Sequence, residues 1–220
     1  LGYMNDAWLD RCKFTIEKAK ELGLQTWIYD EYNWPSGTCG QTIMKDHPEL
    51  TNVYLELVEV DLPGQYFMFM EGTDSRYNDM EQSEPIYACA IKHEDMEKGN
   101  YQLVDLMPSL SFDKVITWEA PKGPWKLFYF IERKSTWYSD VLNPETTKVF
   151  LDYTHDKYKE YLGEKDFAEV KGFFTDEPAM HYFETGRDNF CIPWTSQMFK
   201  IFRDRNGYDL RKNLPKLFYD

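Results

Sequence analysis

The sequence predicts an α/β protein: part of a (β/α)8 barrel of the TIM type, with an antiparallel β-rich insertion in one of its βα loops. Three observations carry this. Two apolar runs, Thr26-Trp27-Ile28-Tyr29 and Gly172-Phe173-Phe174-Thr175, each stop at a pair of carboxylates, Asp30-Glu31 and Asp176-Glu177, and a proline follows. A helical pattern precedes each run. Between the two, residues 51–139 lose the helical period and read as short strands separated by turn residues.

The first helix is capped by Asn5 or Asp6, and Leu9, Cys12, Ile16 and Ala19 recur at spacings of three and four. Gly23 stands where a left-handed C-terminal cap is wanted, and the strand Leu24 to Tyr29 follows at once. The runs 53–60, 65–70, 85–91 and 101–106 are strand-like. Residues 115–120 and 125–132, joined by Pro121-Lys122-Gly123-Pro124, form the best candidate hairpin. The helical pattern returns at Asn143-Pro144-Glu145, an N-cap with proline at the first helical position. Its apolar stripe is Val149, Phe150, Tyr153, Tyr161 and Leu162, and Gly163 ends it. A core strand 170–175 and a last helix from Thr195 to Asn206, stopped by Gly207, complete the pattern.

Without the β-rich stretch, the order is helix, strand, helix, strand, helix, which implies a parallel pair. The expected organisation is therefore a barrel segment at 1–50, an inserted β-rich subdomain at 51–139 and a second barrel segment at 140–220. The barrel part amounts to roughly 130 residues where a full barrel takes about 250. The reading is therefore a piece of a larger protein, about half a barrel, with a smaller open α/β sheet as the alternative.

Composition narrows the function. A formal net charge of −13 argues against nucleic acid and anionic membrane surfaces, which call for basic faces. No apolar run reaches the roughly 18 residues of a membrane span. Trp 7, Tyr 16 and Phe 15 bring the aromatic share to 17%, which suits both a packed core and the faces of sugar rings. Cys12, Cys39, Cys89 and Cys191 are scattered, with no zinc spacing, and read as free thiols.

The chemistry centres on the acids. A carboxylate beside aromatic rings is costly unless paired or used. Strands joined by one crossover are usually neighbours, so the two acid pairs are expected on one rim. Alternation along the strands puts Glu31 with Tyr29 and Trp27, and Glu177 with Thr175 and Phe173. Glu177 and Glu31 are thus the expected catalytic pair, with Asp176 and Asp30 in support. Glycosidic cleavage needs one acid to protonate the leaving oxygen and a second carboxylate to attack or to activate water. Tyr32, Asn33, Trp34, His181 and Trp137 are the expected substrate contacts. No metal or cofactor motif can be read. Two other functions remain: a non-catalytic carbohydrate-binding domain, and a metal-dependent hydrolase or lyase using the same acids as ligands.

These residues also resemble a known family. Tyr29-Asp30-Glu31-Tyr32-Asn33-Trp34-Pro35-Ser36-Gly37 is similar to a signature of large bacterial proteins related to glycoside hydrolase family 106, the α-L-rhamnosidases. Leu142 to Glu145, the Thr154-His155 pair, Gly172 to Pro178 and the Trp118 to Trp125 segment fit the same group. The resemblance implies a (β/α)8 catalytic domain with a β insertion inside a multidomain bacterial enzyme. The remaining domains of the polypeptide would be its partners and an oligosaccharide or glycoside its substrate. It further implies inversion, calcium near the sugar in some members, and Glu177 as the acid. The compartment stays open between cytoplasm and periplasm or secretion.

Overall fold

The structure, a computed structural model, describes residues 2–62, 66–70, 83–99, 102–180 and 190–219, with Thr136 by its backbone alone. In chain order the elements are α1 (Asp6–Glu21), β1 (Thr26–Tyr29), α2 (Thr42–Asp46), β2 (Thr51–Leu62), β3 (Tyr66–Met70), β4 (Ser83–Lys92), α3 (His93–Glu97), β5 (Leu103–Asp105), β6 (Val115–Glu119), β7 (Trp125–Ser139), α4 (Pro144–Leu151), α5 (Lys157–Phe167), β8 (Val170–Phe174), β9 (Cys191–Trp194) and α6 (Met198–Asn206). The chain divides into two compact units, Leu1–Asn52 with Ser135–Tyr182, and Val53–Lys134 with Phe183–Asp220.

In the first unit, the Asn5 side chain accepts the Trp8 N–H at 2.9 Å and opens α1. Past its end Gly23 adopts φ +68°, and the Leu24 N–H returns to the Ala19 carbonyl at 2.8 Å. The short link delivers the chain into β1, which pairs in parallel with β8 in the register Trp27↔Gly172, Ile28↔Phe173 and Tyr29↔Phe174. Leu9, Ile16, Ile28, Ile43, Val149, Tyr158 and Leu162 form the core, with Phe173 packed against it. The Asn143 side chain accepts the Glu145 N–H at 3.0 Å, and Pro144 is the first helical residue, as the sequence predicts. A π-helical turn, Asp152–Asp156, joins α4 to α5. Gly163, at φ 70° and ψ 167°, breaks the helix where the sequence placed its end. Among the described residues the parallel sheet has two strands, β1 and β8, and no barrel is closed. Two strands and their helices give α/β layering, whereas closure takes eight.

In the second unit, five antiparallel strands lie in the order β5-β4-β7-β2-β9, with a separate β3-β6 ribbon. The run Tyr87-Ala88-Cys89-Ala90-Ile91 of β4 is wholly buried because the sheet is covered on both faces. On one face, Val53, Leu55, Cys89, Phe128, Phe130 and Trp194 pack with Leu210 and Leu214, and with Phe199 and Phe202 of α6. On the other, Ala88, Ala90, Leu127, Tyr129 and Ile131 pack with Phe67 and Ile116 of the ribbon.

Two expectations are corrected here. The strands on either side of Pro121 to Pro124 do not pair with each other. β6 pairs with β3, as Phe67↔Trp118 and Phe69↔Ile116, while β7 pairs with β4. A proline–glycine turn fixes a reversal of direction but not a change of layer, and the link carries the chain from ribbon to sheet. The assignment of 140–220 to one barrel segment also fails. β9 pairs with β2, as Val53↔Trp194 and Leu55↔Ile192, so β9 and α6 belong to the β-rich unit. An amphipathic stripe announces a helix but not the sheet it will cover.

Candidate functional site

The Asp30 N–H donates to the Phe174 carbonyl at 3.2 Å, extending the parallel pairing one residue beyond β1. Asp30-Glu31 and Asp176-Glu177 therefore leave adjacent strands at the same end of the sheet. Alternation stops where the strands stop, so each acid's surroundings are set by the loops. Asp30 is buried, with Oδ1 accepting the Ser36 hydroxyl at 2.7 Å and Oδ2 the Thr175 hydroxyl at 2.5 Å.

Glu31 is 2% exposed, and its own loop closes round it. Oε1 accepts the N–H of Tyr32 at 2.9 Å and of Gly40 at 2.5 Å. Oε2 accepts the N–H of Gly37 at 3.2 Å, Thr38 at 2.8 Å and Cys39 at 2.8 Å, and the Thr38 hydroxyl at 3.1 Å. Successive amides converge because Gly37, Cys39 and Gly40 take positive φ of 123°, 51° and 63°. This is the backbone nest that proteins build round anions, here filled by a side chain of the same loop. Gly37 is obligatory on a second ground: a Cβ there would stand 2.8 Å from the Tyr138 hydroxyl. Six donors occupy the two oxygens of Glu31, so this carboxylate ties its own loop together.

Asp176 is half-buried and Glu177 exposed, the latter at φ +45°, an uncommon conformation for a residue other than glycine. Ser36 binds the strand ends together: its N–H donates to the Asp176 carbonyl at 2.9 Å, and its hydroxyl accepts the Asp176 N–H at 3.0 Å. The Tyr138 hydroxyl donates to the Ser36 carbonyl at 2.5 Å, and the Ser139 hydroxyl to that of Gly37 at 2.5 Å. The Tyr29 phenol is pushed up first by burial, which the nearby Ser36 hydroxyl opposes, and then by the Asp176, Glu31 and Asp30 carboxylates. Burial, then Glu31, raise the Cys39 thiol to about 12, which removes it as a nucleophile at neutral pH.

The expected substrate contacts separate. Tyr32 and Trp34 are exposed on the β1 loop, and Trp137 beside the anchoring Tyr138 is exposed too. Asn33 is exposed and accepts the Tyr29 hydroxyl on its carbonyl at 2.6 Å. His181 lies outside the described residues. A cavity of about 400 Å³ between α1 and β1 is walled by Trp8, Trp27, Tyr29, Tyr32 and Tyr158, with Glu31 on its lining. Asp176 and Glu177 do not line this cavity. No group of three His, Cys, Asp or Glu side chains among the described residues is arranged to hold a metal ion. No described helix is long and apolar enough to cross a membrane.

The residues that sequence reasoning passed over are the hydroxyls: Ser36, Thr38, Tyr138 and Thr175. The one available signal was the run of small residues Ser36-Gly37-Thr38-Cys39-Gly40 after Glu31, which lets backbone amides crowd a carboxylate.

No family model matches the chain, and no curated protein matches it in sequence. Among solved structures it is similar to the rhamnosidase from Novosphingobium sp. PP1Y, with a TM-score of 0.53 and 14% sequence identity over 99% of this chain and 36% of that one. The chain thus spans about a third of that enzyme's length. At this identity the likeness is one of fold: mixed helix and sheet arranged as in part of a rhamnosidase.

Proposed function

We propose that this chain supplies part of the active site of a glycoside hydrolase of rhamnosidase-like kind, cleaving an oligosaccharide or glycoside as part of a longer polypeptide. The observation that carries the reading is the pair of Asp-Glu sequences closing two adjacent parallel strands, beside exposed Tyr32 and Trp34. In α/β architectures, chemistry gathers outside the carboxyl ends of parallel strands. Glu177 is the general acid that protonates the leaving oxygen. Glu31 holds the loop in shape, and the second working carboxylate falls to another acid of the rim, for which Asp176 is the candidate among the described residues. Tyr32, Asn33, Trp34 and Trp137 shape the sugar subsite, since aromatic faces suit the C–H faces of sugar rings.

The test uses the full-length protein and a panel of nitrophenyl glycosides that includes the rhamnoside. Glu177→Gln is expected to lower turnover by about 10²–10⁴-fold with an unchanged melting temperature. Near-normal activity in that variant would remove the acid role. A second reading, non-catalytic carbohydrate binding, is favoured by the exposed rings of Tyr32, Trp34 and Trp137. It would show as glycosides bound and left intact by the unaltered protein.

A further inference from the structure

We infer that Ser36 is a positioning residue for the acid at Glu177. The inference rests on the reading of Glu177 given above and adds a device through which that carboxylate is aimed.

Ser36 is fully buried, and each of its polar groups is bonded. Its N–H meets the Asp176 carbonyl at 2.9 Å and its hydroxyl accepts the Asp176 N–H at 3.0 Å. The same hydroxyl donates to Asp30 Oδ1 at 2.7 Å, and the Ser36 carbonyl accepts from Tyr138 at 2.5 Å. A hydroxyl offers one donor and two acceptor sites, so donating to an aspartate while accepting an amide orients it fully. Asp30 is held in turn, because its Oδ2 accepts the Thr175 hydroxyl at 2.5 Å.

The consequence falls on the next residue. The Asp176 carbonyl and the Glu177 nitrogen share one rigid peptide plane. By holding that carbonyl, Ser36 fixes the plane from which Glu177 departs, and Glu177 leaves it at φ +45°. A left-handed glutamate persists only when its surroundings over-determine it. Ser36→Ala keeps the N–H on the Asp176 carbonyl but removes the hydroxyl that holds the Asp176 N–H and Asp30 Oδ1. With Asp176 clamped at one end only, the backbone relaxes toward the right-handed region and the carboxylate swings away. A displacement of about 1 Å at a reacting group costs on the order of 10²-fold in rate. Two of the four Ser36 hydrogen bonds fall on the residue preceding the acid.

The test is the leaving-group dependence of turnover in the full-length protein. Ser36→Ala, Thr175→Val, Thr175→Ser and Glu177→Gln are compared on a series of aryl glycosides running from dinitrophenyl to methoxyphenyl. A good leaving group departs without a proton, and a poor one needs the acid. Ser36→Ala is expected to lose about 10–100-fold in kcat on the methoxyphenyl glycoside, with KM within about twofold and little loss on the dinitrophenyl glycoside. Thr175→Val, at an exposed position that tolerates the change if Ser36→Ala fails to fold, is expected to show a weaker form of the same pattern. Thr175→Ser, which keeps the hydroxyl, is expected to restore the unaltered profile. Equal losses on all leaving groups, or no loss, in Ser36→Ala and Thr175→Val would overturn the inference while Glu177→Gln still showed the acid pattern. If Glu177→Gln itself retained activity on poor leaving groups, or the unaltered protein cleaved none of the series, the reading of Glu177 would fall and the inference with it.

Discussion

Glu31 is a carboxylate surrounded by amides of its own loop, and that arrangement fixes what its replacement will do. Glu31→Gln removes the charge and turns an NH2 group toward N–H donors, leaving buried amides without an acceptor. The expected loss is at least about 2 kcal/mol of unfolding free energy, measured by urea denaturation. The choice of Glu31 and Glu177 as the working pair came from strand alternation, which ends at Tyr29 and Phe174, two residues before Glu31 and three before Glu177. The acid pairs themselves were legible, because apolar runs that stop at carboxylates mark strand ends. Their environments were not, because they depend on hydroxyls far along the chain, Thr175 and Tyr138 among them. His155 gives a pH test. Its ring stacks on Phe173 with centroids 3.9 Å apart, and burial lowers its pKa below the ordinary 6.5, opposed by Asp30 and Asp156. The unfolded chain therefore takes up this proton first, and the fold loses stability as pH falls from about 6.5 toward the depressed value. His155→Gln is expected to flatten that slope in denaturation midpoints measured from pH 7 to pH 5.

At the scale of elements, local chemistry was readable and pairing was not. The cap at Asn143, the glycine after α1 and the break at Gly163 follow from residues within one turn of the feature they cause. The partner of β6 and the sheet covered by α6 depend on which apolar faces meet, which no local signal records. One strand pair carries a specific test. Trp27 stands opposite Gly172, and a Cβ on Gly172 would fall 2.4 Å from the indole ring. Trp27 is 60% exposed, so its ring has room to move at a cost. Gly172→Ala is expected to destabilise the protein by about 1–3 kcal/mol. In the Trp27→Ala background the same substitution is expected to cost markedly less, and a double-mutant cycle from chemical denaturation measures the difference.

For the whole molecule, the finding with most reach is that the β-rich unit is built from two stretches of chain, 53–134 and 183–220. β9 closes one side of the sheet beside β2, and Leu210 and Leu214 cover one of its faces. A chain cut after residue 182 is expected to leave Leu55, Cys89 and Phe128 uncovered. Size-exclusion chromatography of that truncated protein should show aggregation, with loss of the native melting transition. During synthesis the order of arrival then matters. Every residue of the unit that holds the two acid pairs leaves the ribosome before the last stretch of its neighbour. The first unit is free to fold while a broad oily surface in the second still waits for Leu214, and in that interval the nascent chain needs shielding from other molecules.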